Sequence, residues 1–311
     1  MVYILGYKTV HDSSAVLLKD GYIIGAVEEE RFNQTPIKIK YLNYLNLKKR
    51  FINCLSFNIM VKLIKIVNFL NEYLKINEIE DGSWNGLQIE GKPDVKKIVL
   101  AVDAGTETFE KSVEAGADMV IVHHGQFWKD ANPSIIDWNK KRIDILYKNK
   151  MSLYVAHLPL DRHEKVGNNV QLLKLLGARI NKEFLDYKGK NISWMGDFKN
   201  GIKMENIVKK LNSELNTKCT VLAFGKKIVK TIGVCSGGGD YKQFFEALNK
   251  KLDLYLTGDI NEVYHAVKDA GINVIFAGHH ATETVGLKAL SKVINKKFKV
   301  ETIFIELPTG L

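Results

Sequence analysis

From residue 60 onward the chain alternates between two kinds of apolar spacing. Leu63, Ile66, Val67, Leu70 and Leu74 recur every three or four positions, which predicts an amphipathic helix over residues 60–75. Short runs of adjacent, partly β-branched residues predict buried strands at 97–103, 119–122, 153–156, 220–224, 228–235, 254–257, 274–277 and 300–305. Helical spacing fills the gaps at about 107–115, 135–149, 168–177, 204–215, 262–270 and 279–296, and around Phe244, Phe245 and Leu248. A glycine-punctuated loop with a short strand covers 84–91. Residues 178–203 follow neither spacing and are expected to be a looser connection. This alternation predicts an α/β fold.

The two halves of this region, about 60–180 and 200–311, read in parallel. IVLAVD, helix, ADMVIVHHG, helix, LYVAHLPLD matches TIGVCSGG, helix, LDLYLTGD, helix, VIFAGHHATE in the order of its elements and breaks. Asp118 leads His123 by five residues, as Asp253 leads Gly258. Two similar α/β units with strand-end loops meeting between them are expected.

Those strand ends carry the chemistry. The run Ala117-Asp-Met-Val-Ile-Val-His-His-Gly125 is a buried strand that stops at two imidazoles, where open α/β folds collect ligands. Another strand leads into His157-Leu-Pro-Leu-Asp161, and a third into Gly278-His-His-Ala-Thr-Glu283. His279 and Glu283 stand one helical turn apart, which lets both side chains serve one metal. His123, His124, Asp161, His279 and Glu283 exceed the needs of one tetrahedral ion. They suit two divalent ions roughly 3.5–4 Å apart. Nitrogen and oxygen donors without thiolate fit zinc, iron, manganese or cobalt. Asp103 and Asp259 end strands on the same rim and either orient a ligand histidine or cap a helix. His157 and His163 are candidates for supporting the ligands or facing substrate, and Asp103, His157 or His163 for moving protons. His265 reads as a packed or surface residue, and His280 should point away from whatever His279 faces.

Composition narrows the alternatives. At 311 residues, 46% apolar and 26% charged, the chain is ordinary for a globular protein. No apolar run approaches the roughly 20 residues of a membrane span, and no secretory leader pattern opens the chain. Cys54, Cys219 and Cys235 lack CxxC spacing, which argues against disulfides and a zinc knuckle, and Cys219 and Cys235, in apolar strand-like runs, read as buried thiols. A cytoplasmic protein is expected. The net charge of +10, mostly lysine, reads as solvated helix faces, leaving room for a weak, salt-sensitive contact with nucleic acid. GxxxxGK[ST], GxGxxG and GxSxG are all missing. Ser236-Gly-Gly-Gly-Asp240 reads as a turn into a helix that could also hold an anion.

NGLQIEG, ADMVIVHHG, HLPLD followed by NN, CSGGG, DLYLTGD and GHHATE, in this order over residues 60–311, resemble the Nif-three-like family, also named GTP cyclohydrolase 1 type 2 homologs. The resemblance implies two intertwined α/β units with mixed sheets and a dinuclear site between them on His123, His124, Asp161, His279 and Glu283. Glu283 is best placed to bridge. It also implies ring-like homohexamers. The expected activity is metal-dependent hydrolysis of a small phosphorylated or heterocyclic substrate, of cyclohydrolase or phosphoesterase type. The alternative is a metal-binding regulatory or interaction protein or metal chaperone, with non-specific nucleic-acid contact.

Residues 1–59 follow another logic. Tyr3-Ile-Leu-Gly6, His11-Asp-Ser-Ser14, Asp20-Gly21 and Glu28-Glu-Glu-Arg-Phe32 give strand, turn, strand and hairpin signals. Residues 3–34 resemble the extreme N-terminus of carbamoyltransferases with an actin-like nucleotide-binding fold. Past Thr35 the sequence becomes Lys-, Asn- and Leu-rich without turn or capping logic. A fused remnant or a wrongly assigned start is expected, with Met60 as the effective first residue.

Overall fold

The computed structural model describes residues 60–311 and, before them, the backbone of three strands, β1 (Val2–Lys8), β2 (Ser13–Lys19) and β3 (Tyr22–Glu29). These three pair antiparallel in chain order. Met1–Phe57 and Asn58–Leu311 form separate compact units. The expectations for His11, Asp12, Asp20, Gly21, Cys54 and the rest of 30–59 fall outside the described residues.

The second unit opens with β4 (Val61–Lys62) and α1 (Leu63–Leu74). All five apolar positions expected on the helix face are buried. They pack on Ile98, Leu100, Met119, Ile121 and Tyr154, and each contributes about 1.5–3 kcal/mol by leaving water. The helix stops where Lys75 turns left-handed at φ 54° and returns its N–H to the last turn.

A five-stranded sheet follows from β5 (Gly86–Ile89), β7 (Lys97–Asp103), β8 (Met119–His124), β9 (Ser152–Val155) and β16 (Glu301–Phe304). Its order is β16-β7-β8-β9-β5, parallel except for β5, while β6 (Asp94–Val95) pairs with β4. Helices α2 (Thr106–Glu114) and α3 (Asp137–Lys148) link the parallel strands. Continuous apolar runs in β7, β8 and β9 are buried throughout, as strands covered on both faces must be.

Helices α4 (Leu158–Arg162) and α5 (Asn168–Leu176) lead into β10 (Arg179–Tyr187) and β11 (Lys190–Lys203). These two form a long antiparallel hairpin, so the expectation of a looser stretch at 178–203 is corrected. Most side chains of β10 are at least partly exposed, so polar residues stand where alternation would otherwise betray a strand. The turn signal was present. Lys188 and Gly189 both have positive φ, 51° and 81°, as a two-residue hairpin turn requires.

Then come α6 (Met204–Leu215), β12 (Thr220–Ala223), β13 (Ile228–Cys235), α7 (Tyr241–Asn249), β14 (Leu254–Thr257), α8 (Tyr264–Ala270) and β15 (Asn273–Phe276). The second sheet runs β10-β11-β13-β14-β15-β12. Within it β13-β14-β15-β12 repeats the topology of β7-β8-β9-β5, three parallel strands and an antiparallel edge. The paired aspartates do the same work in each half. Asp118 accepts the N–H groups of Lys96 and Lys97 at 2.9 and 3.4 Å, and Asp253 those of Lys230 and Thr231 at 2.8 and 3.1 Å.

Helix α9 (His279–Phe298) ties the halves together. It leaves β15, sets Ala281 and Val285 on the second core, then buries Leu287, Leu290 and Ile294 in the first. It delivers β16 to pair with β7, so the last strand completes the first sheet. The two halves are intertwined through this helix.

Candidate metal centre

His123 and His124 close β8, Asp161 lies on α4 after β9, and His279 and Glu283 occupy the first turns of α9. The fold brings all five together. His123 Nε2 lies 3.3 Å from Asp161 Oδ2 and 3.3 Å from Glu283 Oε1. His279 Nε2 is 3.3 Å from Glu283 Oε1, and His124 Nε2 is 3.3 Å from Glu283 Oε2 and 3.4 Å from His279 Nε2. Glu283 thus stands in both of two triads, His123–Asp161–Glu283 and His124–His279–Glu283.

The opposite nitrogen of each ring is already spent. His123 Nδ1 donates to the Ala156 carbonyl at 2.8 Å, His124 Nδ1 to Asp103 at 2.7 Å and His279 Nδ1 to Asp259 at 2.9 Å. Carbonyl and carboxylate acceptors hold the proton on Nδ1 and leave Nε2 facing inward, the nitrogen that can ligate metal once its own proton is displaced. Asp103 and Asp259 therefore orient the His124 and His279 rings toward the cluster. Asp161 is prepared in the same way. Its Oδ1 accepts from Asn168 Nδ2 at 2.8 Å and Ser236 Oγ at 2.7 Å, leaving Oδ2 to face His123. Asn168 also accepts the Gly286 N–H at 2.8 Å, which pins α5 and Asp161 against α9. Gly286 has no room there for a Cβ.

His123, Asp161 and Glu283 are buried, whereas the side chains of His124 and His279 keep 19% and 30% of their exposure, so the cluster opens on their side. Burial alone would push the His123 imidazole's pKa down, but Asp161 and Glu283 hold it well above its ordinary value. Burial would likewise raise Glu283, and the histidines instead hold it well below the usual carboxylate range. For His279, burial is outweighed by Glu283 and Asp259, and the pKa rises to about 9. Protons here compensate carboxylates that metal ions would otherwise neutralise.

The residues fit metal by two further observations. Buried His123 Nε2 and Glu283 Oε2 have close neighbours but no aligned hydrogen bond. The 3.3–3.4 Å separations match the roughly 3.4 Å between two ligands on one tetrahedral ion with bonds of about 2.0–2.1 Å.

Not every expected group reaches the cluster. His163 is corrected: its Nε2 donates to the Tyr73 carbonyl at 2.9 Å and its Nδ1 accepts the N–H groups of Lys165 and Val166. Closing the turn after α4 uses both of its nitrogens. His265 lies away, against Tyr264. His157 is at the site, with a ligand nitrogen within 4.8 Å of those of His123 and His124. Its Nδ1 meets buried Asp81 at 2.8 Å. His280 points away from the ligands, yet it stands 3.4 Å from Asp103 and 3.3 Å from Glu306, behind His124. Asp81, Asn168 and Ser236 escaped sequence reasoning because nothing in their spacing ties them to the histidines. The glycine run after β13 takes on a different meaning. A Cβ at Gly237, where φ is +62°, would strike the Glu283 carboxylate, so this loop is glycine because it passes over the cluster.

Fold and cluster define an α/β protein with a histidine–carboxylate centre at its strand ends, built to bind metal. The profile of the Duf34/NIF3 (NGG1p interacting factor 3) family matches residues 61–309, and the chain belongs to that family. A Pyrococcus abyssi protein named GTP cyclohydrolase 1 type 2 homolog is 44% identical over 249 residues, 79% of this chain and 98% of the relative. The solved structure of protein ybgI, described as of unknown function, superposes with a TM-score of 0.76 at 34% identity, covering 81% of this chain and all of that one, 100%. TTHA1606 from Thermus thermophilus gives a TM-score of 0.72 at 35% identity, covering 81% and 100%. Residues 3–34, where a likeness to carbamoyltransferases was expected, precede the matched stretch. Among the described residues no helix is long and apolar enough to cross a membrane.

Proposed function

We propose that the chain holds two divalent ions and hydrolyses a small electrophilic substrate, as a cyclohydrolase or phosphoesterase would. The observation that carries this reading is the sharing of Glu283 between two ligand triads with 3.3 Å contacts. His123 and Asp161 would hold the buried ion, His124 and His279 the one nearer solvent, and Glu283 both. Such a pair supplies Lewis-acid polarisation of a substrate oxygen and a nucleophilic water near neutral pH.

The protein's own part is positioning. Asp103, Asp259 and the Ala156 carbonyl hold the three imidazoles so that no side chain need reorganise on binding. His124 and His279 flank the open side, where a substrate meets the centre. Trp128 packs at 6.2 Å from His124 and 5.1 Å from His157 and walls that approach. We further propose assembly into a homohexamer. Exposed Ile135, Ile136, Trp138 and Tyr147 on and beside α3 support it, and light scattering tests it.

The test of function is metal analysis of protein purified without added metal. A screen of nucleotides, phosphoesters and cyclic amides then compares chelated with reloaded enzyme. Two ions per chain and turnover lost on chelation and regained on reloading are expected. Two ions without any metal-dependent turnover would favour a metal-carrying or regulatory protein.

A further inference from the structure

His157 lies outside the two triads, yet it is prepared as a ligand. Its Nδ1 meets Asp81 Oδ1 at 2.8 Å, the same arrangement that frees Nε2 in His124 and His279. Asp81 is not a chance surface partner. It is 3% exposed and also accepts Ser83 N–H at 3.0 Å, Asn85 Nδ2 at 2.7 Å and Leu158 N–H at 3.0 Å. The His157 main-chain N–H is itself held by Asn85 Oδ1 at 2.7 Å, and its ring packs against the Trp128 edge. That is a large polar investment for one imidazole. Ligand nitrogens of His123, His124 and His157 lie within 4.8 Å of one another, and buried His123 Nε2 has no aligned hydrogen-bond partner.

We propose that His123, His124 and His157 form a three-nitrogen seat for a single metal ion, used in place of the carboxylate-bridged pair when one ion is bound. The proposal rests on the reading that this cluster binds metal, and adds a ligand and a loading state to it. Each of His123 and His124 offers one inward nitrogen, so seat and pair exclude each other. The His123, His124 and His157 rings pack with centroids 4.9, 5.0 and 5.6 Å apart, so the three nitrogens are gathered on one side of the cluster. Three imidazoles and an open position suit zinc or copper, whereas the carboxylate-bearing pair also suits manganese. A first ion is thereby selected for nitrogen affinity. A second ion moves the first onto Asp161 and Glu283.

The experiment loads chelated full-length protein with one equivalent of Cu2+ and counts coupled nitrogens by electron paramagnetic resonance. Zn2+ affinity is measured alongside by chelator competition. Wild type should show three nitrogens. His157→Ala should show two or fewer, with the first Zn2+ bound at least about tenfold more weakly. Glu283→Gln should keep three nitrogens at one equivalent. His157→Gln, checked for folding by circular dichroism, repeats the test should the alanine variant unfold. Three nitrogens and unchanged Zn2+ affinity in the folded His157 variants would overturn the seat. A wild type that never takes a second ion, with His157 still required for the first, would instead sink the paired-ion reading and leave the seat standing.

Discussion

Placing the two halves in register, strand by strand, shows where their likeness stops. Ile98 and Ile232 occupy equivalent positions, as do Met119 and Leu254, and Ser152 and Asn273. Counting forward, Asp103 falls on Gly237, His123 on Gly258, His124 on Asp259 and His157 on Gly278. The first half ends its strands in side chains that face the metal cluster. The second ends them in glycines, whose backbones close on one another: Gly258 N–H reaches the Gly237 carbonyl at 2.9 Å and Gly278 N–H the Gly258 carbonyl at 3.1 Å. Its ligands come one element later, from the start of α9. A duplicated scaffold has thus been divided into a half whose strand ends supply His123, His124 and Asp161, and a half that supplies a close-fitting lining and, from α9, His279 and the shared carboxylate. The starts of the strands, where Asp118 and Asp253 sit, have kept the common design.

For the two-ion centre proposed above, the division predicts that one residue of the second half decides whether the pair forms. Glu283→Gln keeps the size and removes the charge that offsets two cations. Metal counts by mass spectrometry should fall from the proposed two toward one, with the weaker ion losing more than about 100-fold in affinity. His124→Ala should spare one ion, and His265→Ala should change nothing. Retention of two tight ions by Glu283→Gln would move the bridge elsewhere.

Equivalent positions should then respond in opposite ways. Asp103→Ala removes the support of His124 Nδ1, and metal affinity should drop about 10–100-fold while the fold survives. Gly237→Ala places a methyl group against Glu283 at positive φ, and should cost about 1–3 kcal/mol of stability in denaturant unfolding even without metal. Should both variants lose only metal affinity, Gly237 would be a site residue and not a lining.

How much of this was legible follows from the same contrast. The first half's chemistry stood in the open, because side chains that serve a site must be written as His, Asp or Glu. His123, His124, Asp161, His279 and Glu283 all lie where strand ends and one helical turn put them. The lining was not legible: Gly237 reads as a turn until Glu283 is seen beneath it. His163 had the right residue type in the right loop, and only its bonds to the Tyr73 carbonyl and the Lys165 and Val166 N–H groups remove it from the site. Cys219 was expected to be buried and is only partly so. The β10–β11 hairpin was missed because exposed strand faces carry little apolar pattern.

Protonation offers a third way to separate the lining from the ligands. In metal-free protein Glu283 and Asp259 outweigh the burial of His279 and hold its pKa at about 9, above an unfolded value of roughly 6.5. The stabilisation is therefore full below about pH 6.5 and is lost as pH rises through 9. His123, also raised, acts in the same direction. Metal loading displaces these protons, so loaded protein should lack this slope. Thermal unfolding of chelated and loaded samples between about pH 6 and 10 should show Tm falling with pH only in the chelated one. A flat chelated profile would mean that the imidazoles are not charged before metal arrives.

The smallest expected effect is a difference between two variants, and it tests whether the scaffold is shared at all. Asp118 and Asp253 occupy equivalent strand starts, each accepting two backbone N–H groups and pairing with one lysine, Lys92 at 3.0 Å and Lys226 at 2.7 Å. Removing either carboxylate leaves main-chain donors unpaired, which costs about 1–3 kcal/mol. The lysine pairs add little, since the Lys92 and Lys226 side chains are 46% and 74% exposed. Asp118→Ala and Asp253→Ala should therefore lower the denaturation midpoint by nearly the same amount, within about 0.5 kcal/mol of each other. Neither carboxylate reaches the cluster, so metal content should stay at the wild-type value in both. A loss confined to one half would show that the aspartates share a position without sharing a job, and that the halves have diverged at the base of the strands as well as at their tips.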